Sequence, residues 1–84
     1  MAGIAVREAL RTYLFATLIP MDRSDWPSDD ANLFDAGMDS LRLMQLLVFA
    51  EEKWKMKLPD HEVTPERVES INALVAWFEC HHNR

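Results

Sequence analysis

Residues 40–55 read SLRLMQLLVFAEEKWK, a stretch in which apolar side chains recur with the period of an α-helix. One apolar stripe follows spacings of three, four, seven and eleven residues and consists of Leu43, Leu46, Leu47, Ala50 and Trp54. A second stripe lies beside it, because successive helical residues are rotated by about 100°, and consists of Leu41, Met44 and Val48. This helix therefore has more apolar surface than one core needs. The second stripe is either buried under a later helix or free to bind a partner.

The segment before this helix predicts one further helix and a long loop. Residues 3–19 carry apolar side chains at helical spacing, up to Thr17 and Leu18, and Pro20 ends the pattern. Residues 20–39 are rich in turn-forming residues and show no period. Within them, Leu33 and Phe34 are expected to pin the loop to the core. A loop of this length without regular structure is uncommon and is usually functional.

The remaining third of the chain predicts a short helix and a final one. Thr64 followed by Pro65 is typical of a helix start, with Thr at the N-cap and Pro at the first helical position. A last helix begins at Ser70 and is expected to fray from Glu79 onwards. Its apolar stripe consists of Ile71, Leu74, Val75 and Phe78. We therefore predict an all-α fold, a small four-helix bundle with a long first loop and a short third helix, in a single domain spanning residues 1–84.

Composition and charge exclude several classes of function. The 84 residues include 9 basic and 14 acidic side chains, which gives a formal net charge of −5. A nucleic-acid partner is not expected, because such binding requires a basic face, whereas a basic patch on another protein would suit this charge. The single cysteine, Cys80, permits no intramolecular disulfide and indicates a reducing, cytoplasmic location. No stretch approaches the ~20 apolar residues of a membrane span.

The segment that carries chemistry reads LFDAGMDSL at residues 33–41. It places Ser40 where the long loop becomes a helix, which exposes the side chain, and Gly37 permits a sharp turn just before it. A helix N-terminus favours an anion attached there, and the second apolar stripe starts beside the serine. These features suit a hydroxyl that carries a group. Ser and Asp are also ordinary N-cap residues, so a purely structural role stays open on this segment alone.

The segment and the chain around it resemble the acyl carrier protein and peptidyl carrier protein family. The resemblance covers roughly residues 4–78 and rests on length, acidity and the Leu-Phe-x-x-Gly-x-Asp-Ser-Leu run. The Leu58-Pro59 connection and the VTPERVESI stretch at residues 63–71 also look like that family. It implies a free-standing carrier, which is not an enzyme, with a bundle of the acyl carrier type.

The resemblance further implies that Ser40 bears a covalent 4′-phosphopantetheine derived from coenzyme A, with Asp39 and Leu41 at the attachment site. The arm would hold an acyl or aminoacyl group as a thioester and present it to other enzymes. Expected partners are a phosphopantetheinyl transferase, an adenylating or acyltransferase loading enzyme, and downstream synthase or tailoring enzymes. The residues expected to dock these partners are Leu41, Arg42, Met44, Gln45, Val48 and Glu51.

Departures from the family pattern bear on the pathway. Arg42 and Gln45 stand where carriers of fatty acid synthesis often have carboxylates, which favours a dedicated carrier in a specialised, secondary-metabolite pathway. The Asp39-Ser40 pair looks more like acyl carriers than the His-Ser pair common in peptide synthetase modules. The cargo stays open between a fatty acyl group, a small acid and an amino acid.

Other interpretations are weaker. Cys80, His81 and His82, with His61, could suggest a metal site, but adjacent histidines on a helix point about 100° apart, and a polar helix end explains them. No nucleophile–base pair or metal set is visible, and we expect no bound metal. Trp77 is expected to flank the core. The alternative from another class is a helical protein-interaction module that is never modified and in which Ser40 is only a cap. We expect a monomer.

Overall fold

The computed structural model describes residues 3–82, and the regular structure within that range is helical, with no strand. This range contains four α-helices: α1 (Gly3–Tyr13), α2 (Ser40–Trp54), α3 (Pro65–Val68) and α4 (Ile71–His82). Shorter helical segments are a π-helix at Leu14–Leu18 and 3₁₀ turns at Arg23–Asp25 and Asp60–Glu62. The predicted four-helix bundle with a long first loop and a short third helix is confirmed. None of the helices in the described range is long and apolar enough to span a bilayer.

The first helical segment ends as predicted before Pro20, but its last turn is a π-helix. The Ile19 N–H donates to the Leu14 carbonyl across 2.6 Å, a bond between residues five apart. A π turn holds one more residue than an α turn and so rotates the side chains that follow it. Phe15, within this turn, is fully buried, and Thr17, which the sequence placed on the apolar stripe, is exposed.

The core lies between α1, α2 and α4. The predicted stripe of α4 is buried in full, and three members of the first α2 stripe are buried with it: Leu46, Ala50 and Trp54. Each large apolar side chain removed from water contributes about 1.5–3 kcal/mol. Tyr13 and Phe49 stack face to face between α1 and α2, with ring centroids 3.9 Å apart and an angle of 4° between the rings.

Helix α4 extends beyond the point where the sequence predicted fraying. It continues to His82, because Trp77 and His81 in its last turns contact the carboxylate of Glu62 in the turn at 60–62. Trp77 was expected at the flank of the core and is only 5% exposed. The fraying prediction was wrong because it considered the local sequence alone, whereas these contacts come from another segment.

The long loop is fastened to the bundle at Asp29 and at Leu33. Arg7 and Arg11 on α1 each form a salt bridge with Asp29, at 2.8 and 2.7 Å. Farther along, the Leu33 N–H donates to the Glu69 carbonyl across 2.7 Å, and the Leu33 side chain is fully buried, as predicted. The prediction for Phe34 was wrong, since this side chain is 42% exposed.

The reason for this exposure lies in the turn that follows Leu33. The Asn32 side-chain oxygen accepts the Phe34 N–H at 2.8 Å and the Asp35 N–H at 3.3 Å. Such a turn, in which Asn accepts from the backbone just ahead of it, reverses the chain tightly. Leu33 therefore faces the core, while Phe34 faces solvent.

Candidate functional site

Ser40 is the first residue of α2, and Asp39 is the residue that caps it. Asp39 has extended backbone dihedrals (φ −142°, ψ −178°), and its Oδ1 accepts the backbone N–H of Arg42 at 2.8 Å. The interpretation of Ser40 as the cap is therefore wrong. The Ser40 side chain is exposed, and its hydroxyl has no hydrogen-bond partner within residues 3–82. A hydroxyl in this position is free to be modified.

The turn that delivers the chain to Ser40 depends on Gly37 and Met38. Gly37 has φ +117°, a backbone conformation that residues with a Cβ atom rarely adopt. Met38 is 5% exposed, and its N–H donates to the Leu33 carbonyl across 3.0 Å. The buried Met38 thus anchors the chain two residues before the serine. The sequence indicated the role of Gly37 but not that of Met38.

Arg42, predicted as a docking residue, holds the helix start together. Its Nη1 lies 2.6 Å from Asp39 Oδ2, and its Nε donates to the Leu18 carbonyl across 3.0 Å. The pKa of Asp39 lies below its ordinary value, first because the carboxylate accepts the Arg42 backbone N–H, and further because of the Arg42 charge. Asp39 is therefore ionised at neutral pH, beside Ser40.

The second apolar stripe of α2 is exposed. Leu41 is 69% exposed, Met44 63% and Val48 49%, so helix α3 does not cover them. We call these three residues the α2 strip. The question that the sequence left open is settled in favour of a free apolar surface beside Ser40. Phe34 is the other large apolar side chain that is exposed within the described residues.

The other two predicted docking residues differ from each other. Gln45 is exposed and lines a shallow depression together with Met44 and Val48. Glu51 is half-buried, and its Oε2 accepts the Leu58 N–H at 2.8 Å, which ties α2 to the connection that follows it. The structure thus brings Met44, Gln45 and Val48 together on one surface and directs Glu51 to the backbone.

A groove runs from Ser40 between α2 and the turn at 60–62. Its volume is about 290 Å³, and its lining is mostly apolar. The residues that line it are Ser40, Leu43, Met44, Leu47, Asp60 and Val63. The sequence did not predict Asp60 and Val63 as part of the site, because only the tertiary fold brings this turn to the start of α2.

The cysteine and histidines near the end of the chain do not form a metal site in the described residues. Cys80 is exposed, and His81 contacts Glu62. Within residues 3–82, no group of three or more His, Cys, Asp or Glu side chains is placed to hold an ion. The side chain of His82 lies outside the described ones.

Comparisons with known proteins agree with this geometry. Residues 8–78 match the family model of the phosphopantetheine attachment site. An acyl carrier protein of Clostridium acetobutylicum is 26% identical over 68 residues, which cover 81% of this chain and 86% of that protein. The fold is similar to a structure described as Bradyrhizobium japonicum glycine:[carrier protein] ligase complexed with glycylated carrier protein. That match has a TM-score of 0.68 and 21% identity, and it covers 89% of this chain and 96% of the other.

The residues at the start of α2 fit the group that this family carries. A phosphopantetheine needs an accessible hydroxyl for its phosphodiester, and Ser40 offers one without a competing hydrogen bond in the described range. The adjoining groove offers apolar side chains to the arm. The match over residues 8–78, on a bundle of the acyl carrier type, shows that this chain belongs to the phosphopantetheine attachment site family and is a non-catalytic carrier protein with a covalently attached 4′-phosphopantetheine.

Proposed function

We propose that Ser40 bears the phosphopantetheine arm and that the chain carries an acyl or aminoacyl group to partner enzymes of a specialised biosynthetic pathway. The observation that supports this most is the exposed Ser40 hydroxyl at the first position of α2, which has no hydrogen-bond partner among the described residues and lies directly beside the α2 strip. When bound, the arm supplies a thiol that holds the cargo as a thioester. The protein itself positions the arm and presents its cargo to partner enzymes.

Ser40 is distinguished from the other three serines by its surroundings. The Ser70 hydroxyl accepts the Ala73 N–H at 3.1 Å and therefore has a structural role at the start of α4. Ser24 and Ser28 lie in the long loop, away from the start of any α-helix. At Ser40, an attached anion meets the positive end of a 15-residue helix, a favourable interaction of about 0.3–1 kcal/mol at an exposed site.

The phosphopantetheine arm and the α2 strip have different roles in delivering the cargo. A flexible arm keeps its cargo at an effective concentration in the millimolar range near a docked partner, so weak docking is sufficient. Leu41, Met44 and Val48 provide an apolar contact next to the arm, and Gln45 lies beside them. We propose this surface as the one that the transferase, a loading enzyme and downstream synthase or tailoring enzymes share. We propose that the chain acts as a monomer and that its location is cytoplasmic.

We propose only the chemical class of the cargo, an acyl or aminoacyl group. The Clostridium relative is an acyl carrier, and the Bradyrhizobium structure holds a glycylated carrier, so this fold serves both kinds of group. Arg42 is engaged by Asp39 and Gln45 is uncharged, so the first turns of α2 offer little free acidity to a basic partner. This supports a dedicated loading enzyme, adenylating or acyltransferase, over the general fatty-acid enzymes.

The test is modification in vitro. The purified chain is incubated with coenzyme A, Mg²⁺ and a broad-specificity phosphopantetheinyl transferase, and its intact mass and modified peptide are determined. We expect one phosphopantetheine on Ser40, no gain for Ser40→Ala and a full gain for the matched control Ser24→Ala. A Ser40→Ala variant that still gains the group would contradict the assignment.

The alternative of an interaction module that is never modified shares the exposed α2 strip with the carrier, but it does not account for the family match over residues 8–78. Such a module would bind its partner without modification. A wild-type chain that stays unmodified, while a known carrier in the same tube is converted, would support it. Once the arm is in place, loading trials with adenylating enzymes for short acids and for amino acids distinguish the cargo classes.

A further inference from the structure

Arg42 makes three contacts around the attachment residue, one through its backbone and two through its side chain. Its backbone N–H and its Nη1 bind the two carboxylate oxygens of Asp39, at 2.8 and 2.6 Å. Its Nε donates to the carbonyl of Leu18, in the π turn that ends the first helical segment, across 3.0 Å. The guanidinium is thus fixed between the cap of α2 and the end of another element, and the Arg42 side chain as a whole is 42% exposed.

Modification of Ser40 changes the electrostatics of this junction. A phosphodiester adds one negative charge to the residue directly after Asp39, whose carboxylate is already ionised. The Cα atoms of adjacent residues are about 3.8 Å apart, so the two charges are separated by a distance on the order of the Debye length, about 8 Å at physiological ionic strength, and are only partly screened. Without a nearby cation, their repulsion would weaken the cap in the modified protein.

We propose that Arg42 is a positioning residue whose charge allows Asp39 to remain the cap of α2 beside the phosphodiester. This inference rests on the proposed function, since it requires the arm on Ser40. Arg42 meets the requirement in two ways. It neutralises Asp39 through direct contact, and its bond to Leu18 holds the guanidinium in place.

The same contacts bear on partner choice. Because the Arg42 charge is committed to Asp39, Arg42 acts on partners through the shape of the attachment site and not as a free charge on the docking surface. Arg42→Ala should therefore change the modified form more than the unmodified form. A residue that merely packs would affect both forms equally.

The experiment is a thermodynamic cycle between Arg42 and the modification. Melting temperatures are measured for the wild type and Arg42→Ala, each unmodified and carrying phosphopantetheine, with conversion verified by mass. We expect Arg42→Ala to lower the melting temperature of the modified form by about 1–3 °C more than that of the unmodified form. Arg42→Lys should recover most of this difference, and 1 M salt should reduce it. Asp39→Asn should also reduce it, because the repelling charge is gone.

Two further variants keep the result decisive. Ser40→Asp adds a fixed negative charge at the same residue without any transferase, so the cycle can be repeated if Arg42→Ala is a poor substrate. Arg67→Ala is the matched control, since Arg67 is exposed and donates to one backbone carbonyl, that of Glu62. Equal losses in both forms, or no recovery by Arg42→Lys, would overturn the role of Arg42. A wild type that gains no mass would overturn the proposed function itself and this inference with it.

Discussion

Glu62 and Trp77 join the turn at 60–62 to helix α4: the indole Nε1–H donates to Glu62 Oε1 across 2.9 Å. His81, one turn farther along α4, places its Nε2 2.6 Å from the same oxygen. Both contacts favour the carboxylate form, so they hold the pKa of Glu62 below its ordinary value of 4.5, the Trp77 bond being the larger cause. The same turn forms a wall of the groove at Ser40, so this contact also stabilises the site.

The lowered pKa predicts an acid-sensitive stability. A carboxyl whose pKa is lower in the folded than in the unfolded state stabilises the fold above pH 4.5, and this contribution is lost as the pH falls through the folded-state pKa. Glu62→Gln should lower the urea midpoint at pH 7 and make it less dependent on pH between 5 and 3. Glu8→Gln, on an exposed face of α1, is the control. If Glu62→Gln follows the wild-type pH profile, the contact does not stabilise the fold.

The cap of α2 predicts that Asp39 contributes to the stability of the fold and that its neighbour Ser40 does not. Asp39→Ala should lower the thermal midpoint, because the Arg42 N–H and guanidinium both lose their acceptor. Asp39→Asn should retain the cap, since Asn is a good capping residue. Ser40→Ala should change stability by less than about 0.5 kcal/mol, because the hydroxyl has no partner in the described residues. A larger loss for Ser40→Ala than for Asp39→Ala would contradict the assignment of the cap.

The periodic patterns were sufficient to predict the helices. The repeats of α2 and α4 are long, so the bounds of α2, the start of α4 and the buried faces of both helices followed from spacing. Thr64-Pro65 marked the start of α3 correctly, although Thr64 makes no side-chain capping bond in the described residues. The sequence could not indicate the π turn, because a single extra residue per turn leaves no periodic signal in five residues.

The part of the site that consecutive residues form could be predicted from the sequence. The part that residues from distant segments form could not. Ser40 and Asp39 are consecutive, so the loop-to-helix junction could be recognised from the sequence. The groove wall at Val63 lies far along the chain from Ser40, and the contact of Arg42 with the Leu18 carbonyl joins residues that are 24 positions apart. The exposure of the α2 strip depends on where the last two helices pack, which no single segment determines.

The contacts of Asp29 predict that its substitution destabilises the long loop more than the rest of the fold. Its carboxylate binds Arg7 and Arg11, and its side chain is only 30% exposed, so Asp29→Ala should cost about 1 kcal/mol of stability. Hydrogen exchange measured by mass spectrometry should rise in residues 20–32 more than in α2. Asp25→Ala, which removes an exposed carboxylate of the same loop, should leave the exchange unchanged. A uniform rise throughout the chain would mean that Asp29 does not act on the loop in particular.

The turn before Ser40 predicts that Gly37 tolerates no side chain. At φ +117° an alanine is strained, and its Cβ would lie 3.3 Å from Ile19 Cγ2. Backbone strain of this kind costs about 1–3 kcal/mol, so Gly37→Ala should lower the free energy of unfolding by that amount and the urea midpoint with it. Ala36→Ser, at the preceding position, is the control, since it keeps the backbone requirement of residue 37 unchanged. An unaltered midpoint for Gly37→Ala would show that the chain adopts a different turn here.

The α2 strip predicts which side chains a partner contacts. Met44→Asp places a charge in the middle of the strip, where a docked apolar surface would have to desolvate it, whereas the folded carrier alone leaves it in water. We therefore expect the KM of the transferase for this variant to rise about tenfold with little change in kcat, because docking is lost while the Ser40 hydroxyl is unaltered. Thr12→Asp adds the same charge to an exposed position of α1 and should leave KM unchanged. Equal thermal midpoints for the two variants would exclude unfolding as the cause. A KM that rises equally for both would mean that the enzyme senses net charge and not the strip. An unchanged KM for Met44→Asp would place the docking surface elsewhere, with the exposed Phe34 as the next position to substitute.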